Sequence, residues 1–429
     1  MIPAVVFSAI VGAVVYGRCE FRSWGGAMVV ALGFALSVCG VIVNVNYYTD
    51  VLGGSLAYPV LNNWDSSIDW QRALAYLSGA NGEGMHTRYY SAVIAALIAV
   101  FGQDISVPLM FNSLCYTLLL ITMGAVAWQL SGSRKMATAT MAVALCMCYL
   151  FVQSTVLLKD VPLTLIVALI VLIFIKWNKS YWWKTPAWQY AAMLLLMVAL
   201  QFLRVNFSPI LMVGALIFAL KFRPLSIDPR FVGVILVAGV LRWLFGLWFT
   251  EPASVLEAVT VDSSESIQMY QSNSLAWDQM TGRYDSISAL RRLAWLPVSV
   301  GVQFIIPFPW TYMNYVDFSP IEPLAHFGFT WYLAGAMIVY WIFADARRCD
   351  YAMPRLVAWG AIATVATAYV TAGHASRYCL VYLPMLLPAA AWVVCHDMRR
   401  RSLWIWLAIF AVLLTAALAV GYHLQNSTL

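Results

Sequence analysis

Charged residues are scarce in this chain. Asp, Glu, Lys and Arg together make up only 10% of its 429 residues, and 62% are hydrophobic. A soluble domain carries roughly 25% charged residues, so this scarcity excludes an ordinary soluble protein and predicts a polytopic membrane protein. The 19 Trp and 22 Tyr residues suit that class, because these side chains gather at the two membrane interfaces.

The sequence also lacks the motifs of several common protein classes. No Walker loop, GxGxxG fingerprint or HExxH motif occurs, so nucleotide hydrolysis and metal-dependent proteolysis of the usual kind have no support. None of the eight cysteines forms a CxxC pair with metal spacing. The longest basic run is Arg399–Arg401, at the end of an apolar span, so no nucleic-acid partner is expected. No cofactor is predicted, and a divalent metal is left open.

Apolar segments long enough to cross a bilayer recur along the chain. They lie at 2–16, 26–46, 105–130, 136–152, 160–176, 187–203, 207–221, 231–249, 327–343, 356–372, 378–394 and 403–421. Two further apolar stretches, 89–101 and 293–306, are expected to form shorter helices that do not cross. The sequence therefore predicts an all-α membrane protein of about 12 transmembrane helices, forming one domain over residues 1–429.

Basic residues between the spans predict the orientation. With these crossings the basic clusters share one side, which the positive-inside rule makes cytoplasmic. The clusters are Arg18 and Arg22; Arg134 and Lys135; Lys176, Lys179 and Lys184; Lys221, Arg223 and Arg230; Arg347 and Arg348; and Arg399–Arg401. The outer side then receives the first loop, 47–104, and the long loop 250–292, which we interpret as a lid over the acceptor. We expect a bacterial inner-membrane protein with its active site on the outer side.

The first outer loop carries two carboxylates directly behind a membrane span. Asp65 and Asp69 stand four residues apart, and if residues 66–77 are helical this spacing puts them on one face. Carboxylates near a membrane are costly unless they face water, a partner charge or a substrate. A general base for sugar transfer is one interpretation. Solvated acids at the start of a helix are the alternative.

Cations stand at the outer ends of three other spans. Asp160 and Pro162 are typical of a helix start, whereas Lys159 is a cation where the helix dipole repels one. Lys159 is therefore a candidate phosphate ligand or a partner of Asp65. Arg204 and Arg377 also lie at outer span ends, and arginine binds phosphate oxygens in a bidentate way. A structural ion pair or an interfacial anchor is the ordinary role of a single arginine there.

Four further residues complete the candidate substrate-binding set: Arg88, Tyr89, His374 and Tyr378. Arg88 and Tyr89 precede the short helix of the first loop, where they either mark the interface or line a pocket for a sugar. His374 stands in the outer turn that also holds Arg377 and Tyr378. It is a general acid, a phosphate contact or a polar loop residue.

The order of these features resembles the GT-C superfamily of membrane glycosyltransferases, which use polyprenyl-phosphate sugars. Within the first loop the spacing is similar to the family's D-x7-A and L-x-G pattern. A later segment resembles its LKD motif, and a C-terminal segment resembles its R-Y motif with a following proline. The residues that carry the resemblance are Asp65, Ala73, Leu77, Gly79, Leu158, Lys159, Asp160, Arg377, Tyr378 and Pro384.

The resemblance implies an inverting transfer of a sugar from a polyprenyl-phosphate donor to a glycan or lipid-linked acceptor on the outer face. Asp65 would be the general base, and Asp69 would orient it or the acceptor. Lys159, Arg204 and Arg377 would hold the departing phosphate, with the lipid tail between spans among membrane lipids. Many relatives carry an Asp-Glu pair in this loop, whereas here Ser follows the first Asp. Which of the two aspartates is the base therefore stays open.

Two rival functions remain. An O-antigen-type polymerase, which moves a whole lipid-linked repeat, is also a many-span protein with outer arginines and a large outer loop. A lipid or solute transporter is a rival of another class, and inverted repeats with charges at the middle of the membrane would favour it. The charges of this chain cluster instead at the ends of its spans.

Overall fold

The computed structural model describes residues 2–50, 64–79, 90–204, 207–222, 225–249, 296, 300, 329–349, 351–371 and 380–426. The α-helices of this part are α1 (Ile2–Gly17), α2 (Trp24–Asp50), α3 (Trp64–Leu77), α4 (Tyr90–Phe101), α5 (Ser106–Ser131), α6 (Arg134–Leu145), α7 (Cys148–Ser154), α8 (Asp160–Lys179), α9 (Ala187–Leu203), α10 (Ser208–Ala219), α11 (Pro229–Phe249), α12 (Phe329–Ala344), α13 (Ala352–Thr371), α14 (Leu383–His396) and α15 (Arg401–Asn426). Short 3-10 turns lie at Trp182–Lys184, Ala346–Arg348 and Leu380–Tyr382.

Helices α5 and α8 form the centre of the fold. Both are long and mainly apolar, and 78% of an 18-residue apolar stretch of each is buried, as expected of helices surrounded by others. α5 packs against α1, α2, α6 and α8, and α14 packs against α6, α12 and α13. Aromatic rings join α8 to its other neighbours: the Phe174 ring lies 5.0 Å from Phe231 of α11 and 5.3 Å from Trp359 of α13.

A helix occupies each of the predicted apolar segments, but the predicted number of crossings is not confirmed. Among the described residues, three helices are long and apolar enough to cross a membrane, namely Trp24–Asn46, Ser106–Ser131 and Asp160–Lys179. A fourth crossing results if α6 and α7 count as one bent span. Helices α1, α4, α9 and α10 are apolar but have 17 residues or fewer. The short helix predicted at 89–101 is α4, and the one at 293–306 lies outside the described residues apart from two isolated positions.

The apolar segment predicted at 136–152 is divided between α6 and α7, which meet at a bend of 70°. The segment after the bend is fixed by other helices. Ser37 of α2 links the hydroxyls of Ser113 and Ser154 at 2.9 and 2.8 Å, and Asn44 donates to the carbonyl oxygen of Thr155 at 2.9 Å. No proline or glycine stands at the bend, so a local sequence pattern gives no sign of it.

The all-α prediction also missed a short hairpin after α10. Strands β1 (Leu220–Phe222) and β2 (Leu225–Ile227) pair antiparallel, with Leu220 opposite Ile227. The buried Arg230 follows the hairpin and binds the Asp228 carboxylate at 2.6 Å. Arg230 also donates to the carbonyl oxygens of Trp177 and Ser180. It thereby binds carbonyls around the C-terminal end of α8, where the Trp177 oxygen also accepts from the Ser180 N–H at 3.2 Å.

A buried pair of carboxylates joins the ends of α12 and α14. Asp345 and Asp397 follow the last residues of these helices and are almost fully buried. Arg400 binds both carboxylates, at 3.0 and 2.8 Å, and Arg348 binds Asp345 at 2.9 Å. Burial, together with the hydrogen bond and charge of Asp345, raises the pKa of Asp397 to about 6. Burial alone would raise the pKa of Asp345, but the hydrogen bonds and charges of its neighbours lower it.

The raised pKa predicts a pH-dependent stability. Protonation of Asp397 stabilises the folded state, and this stabilisation is fully present below pH 3.8, the ordinary pKa of the group. It is lost as the pH rises through about 6, the pKa in the folded protein. Asp397→Asn removes the titration and keeps a donor for Asp345. We compare the melting temperature of this variant with that of the parent protein at the same pH. We expect this difference to shift in favour of the variant by about 2 °C or more from pH 5 to pH 7.5. The control is Glu20→Gln, at an exposed acid, and an equal gain there would contradict the assignment.

Candidate functional site

Helix α3 carries both aspartates of the first loop. The helix predicted over 66–77 is present and begins two residues earlier, at Trp64. Asp65 therefore lies in the first turn of α3 and Asp69 one turn later, on the same face. An acid in a first turn is also favoured by the helix dipole.

Asp69 is inside the contact between α3 and α4. Its side chain is buried, and the Ser91 hydroxyl donates to Asp69 Oδ1 at 2.8 Å. Trp70 and Ala73 of the same helix are buried beside it. A carboxylate held this way fixes α3 against α4, which suits an orienting group better than a base that must meet an incoming substrate.

Arg72 is a residue that the sequence interpretation missed. It follows Asp69 by three positions on α3, and its Nη1 is buried without a hydrogen-bond partner in the described part of the chain. A guanidinium nitrogen removed from water with no acceptor is costly. The available signal in the sequence was the Asp-x-x-Arg spacing, which places a cation on the face of an acid.

Asn112 of α5 joins the first-loop helices to the segment before α8. The Tyr90 hydroxyl donates to Asn112 Oδ1 at 2.8 Å. Asn112 Nδ2 donates in turn to the carbonyl oxygens of Val156 at 2.6 Å and Leu158 at 2.9 Å. Asn112 is fully buried, so these three bonds exclude water and fix α4 relative to the residue that precedes Lys159.

Both buried acids of this region affect the pKa of the Tyr90 hydroxyl. Burial raises the pKa of Tyr90 well above its ordinary value, and the nearby Cys115 thiol and the charges of Asp69 and Asp160 raise it further. The hydrogen bond to Asn112 acts in the opposite direction. Two carboxylates on separate helices, α3 and α8, therefore act on one phenol at the same end of the bundle.

The start of α8 and the end of α9 meet at this end. Asp160 is the first residue of α8, as predicted, and Lys159 is in the N-cap position. Arg204 caps the end of α9, and its Nη1 lies 3.8 Å from Oδ1 of the buried Asp160. This ion pair matches the structural role that the sequence left open for Arg204. The Arg204 side chain is 23% exposed.

Five predicted substrate-binding residues lie outside the described residues: Arg88, Tyr89, His374, Arg377 and Tyr378. The same holds for the lid predicted at 250–292 and for residues 51–63 and 80–89 of the first loop. Of the predicted set, the structure thus brings together Asp69, Asp160 and Arg204. It places Asp65 and Lys159 on the helices that carry these groups.

The described side chains do not form a metal site. No group of three or more His, Cys, Asp or Glu residues comes together among them. The two buried acids at this end already have partners, since Ser91 binds Asp69 and Arg204 pairs with Asp160.

The fold is similar to that of an archaeal oligosaccharyltransferase. The apo crystal structure of the Archaeoglobus fulgidus enzyme aligns with a TM-score of 0.52 and 13% identity over 95% of this chain and 56% of that chain. A structure of oligosaccharyltransferase AglB from the same organism, in complex with an inhibitory peptide and a dolichol-phosphate, aligns with a TM-score of 0.49 and 12% identity over 96% and 56%. The chain thus spans a little over half the length of these proteins. At this identity the likeness concerns the fold alone.

No protein-family model matches the chain, and no curated protein matches it in sequence.

The Asn112 network predicts a specific loss of stability. Asn112→Asp keeps the size but removes both donated bonds and buries a charge opposite two carbonyls. We expect a loss on the order of 3 kcal/mol in the free energy of unfolding. Tyr90→Phe removes one bond and should cost about 1 kcal/mol. Chemical denaturation in detergent measures both.

Asn178→Asp is the matched control, because the Asn178 oxygen accepts from Arg355 at 3.1 Å and a carboxylate keeps that acceptor. We expect no loss there. Equal losses at positions 112 and 178 would show that the Asn112 bonds are not the cause.

Proposed function

We propose that this chain is a membrane glycosyltransferase that moves a sugar from a polyprenyl-phosphate donor to a glycan or lipid-linked acceptor. The GT-C-like fold supports this class of enzyme. The arrangement of charged groups supports the location of the site, at the bundle end where α3, α4, α8 and α9 meet. We place that end on the outer face of the membrane, in a bacterial inner membrane.

The observation that carries the proposal is the hydrogen-bonded connection between the acid-bearing helix and the start of α8. Ser91 holds Asp69, its neighbour Tyr90 binds Asn112, and Asn112 binds the carbonyl oxygen of Leu158. A base on α3 and cations at the ends of α8 and α9 are thereby kept at fixed relative positions. Fixed positions are what a displacement reaction requires of its base and its leaving-group ligands.

Asp65 is the general base in this mechanism. Its carboxylate takes the proton from an acceptor hydroxyl, whose oxygen bonds to the anomeric carbon as the bond from that carbon to the phosphate oxygen breaks. The polyprenyl phosphate leaves with the negative charge, and the sugar configuration is inverted. Asp69, held by Ser91, orients α3 and so positions Asp65.

The leaving phosphate needs cations at the same end. Lys159, Arg204 and Arg377 fill this role in the proposal, and Arg72 joins them. Arg204 is already paired with Asp160 at 3.8 Å, a distance longer than a hydrogen bond. A guanidinium has five N–H donors, so it can hold a phosphate oxygen and keep this partner.

Exchange of each aspartate for asparagine tests the assignment of the base. We expect Asp65→Asn to reduce transfer at least 10³-fold, because an amide keeps the shape but does not accept the proton. Binding of the donor lipid should persist. Asp69→Asn should reduce transfer less and lower the melting temperature as well, since it disturbs the Ser91 contact. The measurements are in vitro transfer from a synthetic donor, donor binding and melting temperature.

A reversed pattern, with full activity in Asp65→Asn and loss in Asp69→Asn without destabilisation, would make Asp69 the base. If lipid-linked repeats react and single-sugar donors do not, the polymerase is the correct function. Donor-independent lipid translocation by both variants would favour a flippase.

Exchange of arginine for lysine tests the phosphate ligands. A bidentate phosphate contact is lost in Lys, whereas a membrane anchor tolerates it. We expect Arg204→Lys and Arg377→Lys to lower kcat/KM at least tenfold. The control is Arg347→Lys at an exposed arginine of the opposite end.

A double-mutant cycle between Asp160→Asn and Arg204→Lys separates the two roles of Arg204. A phosphate ligand loses donor affinity in Arg204→Lys even when Asp160 is already replaced. If all of the loss disappears in the Asp160→Asn background, Arg204 serves only the ion pair, and the phosphate assignment falls to the other cations.

A further inference from the structure

An open groove with a mostly apolar lining lies at the opposite end of the bundle, next to two cations. It has a volume of about 370 Å³ and lies between the start of α2, the first half of α6 and the end of α14. It is separate from the candidate site, because α5 runs from the site to the turn before α6 and its 26 residues span about 39 Å.

The lining residues change in character along α6. Arg134 and Lys135 open the groove as the first two residues of the helix. One turn further in, Thr138 faces Ser23 of the segment before α2, and their hydroxyls are 3.1 Å apart. Apolar side chains form most of the lining, Ala139 and Ala142 of α6 and Val394 and Cys395 of α14. Along α6 the lining residues therefore change from cations to a hydroxyl and then to alanines over two helical turns, roughly 12 Å.

No acidic residue lies among the described residues that line the groove or in the first turn of α6. Both cations also stand at a helix N-terminus, where the dipole disfavours positive charge. The Lys135 ammonium donates to the carbonyl oxygen of Cys395 at 3.2 Å, which holds it over the groove and uses one of its three donors.

The groove also lies at the depth of a membrane interface. Trp24 is next to Ser23 in the chain, at the start of the apolar helix α2, and is 84% exposed. A tryptophan in this setting is typical of the headgroup level of a bilayer. Basic residues at that level attract anionic lipids.

We propose that this groove binds one anionic phospholipid. The phosphate is held by Arg134 and Lys135, the glycerol region lies against Ser23 and Thr138, and an acyl chain covers Ala139, Ala142 and Val394. The site is independent of sugar transfer, so its test does not depend on the proposed function.

The test uses the purified full-length protein in detergent, with lipid binding followed by native mass spectrometry. Phosphatidylglycerol and phosphatidylcholine with identical acyl chains are the two probes. We expect the anionic lipid to bind more tightly, and the double variant Arg134→Gln and Lys135→Gln to weaken its binding about tenfold or more. Ala142→Phe fills the apolar floor and should weaken binding while both cations remain. Melting temperatures verify that the variants are folded.

The matched control is Arg399→Gln with Arg401→Gln, at exposed cations just beyond the end of α14. An equal loss in this control, or no loss in the groove variants, overturns the proposal. Inorganic phosphate that competes as well as the lipid would show a free-anion site instead. A change of oligomeric state in Ala142→Phe would show that a second copy of the chain fills the groove, which also overturns the proposal.

Discussion

The carboxamide of Asn112 is the interaction on which the site depends most. The link between α7 and α8 lies outside any helix, and Asn112 donates to two carbonyl oxygens of that link while it accepts from Tyr90. In a chain this apolar, little water is available to satisfy such backbone groups, and each one left unpaired would cost several kcal/mol. One buried amide therefore connects two segments that are distant in the sequence, the first-loop helices and the start of α8.

Polar contacts at the two ends of the bundle have different structural roles. At the site end, Ser91, Asn112 and Arg204 bind side chains and carbonyls of other helices and hold Asp69, Leu158 and Asp160 in place. At the other end, Arg230 donates to the carbonyl oxygens of Trp177 and Ser180 around the end of α8, and the pair Asp345 and Asp397 joins α12 to α14. The contacts at this other end hold the helices of the bundle together. The contacts at the site end hold the helices on which the proposed base and phosphate ligands stand.

The sequence predicts the helices well because a long apolar run has few other solutions in a membrane. Helix α3 and the N-terminal position of Asp160 were also predictable, from the spacing of acids and from local capping. The bend between α6 and α7 was not, since its hydrogen bonds come from Ser37, Asn44 and Ser113 on distant helices. The burial of Asp69 and the pairing of Arg204 with Asp160 could not be predicted for the same reason. A pattern within one helix does not specify the partner that another helix supplies.

The most direct test of the central claim is an experimental structure with a non-transferable polyprenyl-phosphonate sugar bound. The account predicts that the phosphorus lies at the end of the bundle where α8 begins and α9 ends, within hydrogen-bond reach of Lys159 or Arg204. It also predicts that the Asp65 carboxylate faces the anomeric carbon from the side opposite the phosphate. A donor bound at the other end of the bundle, or at this end with Asp65 remote from the sugar, would contradict it.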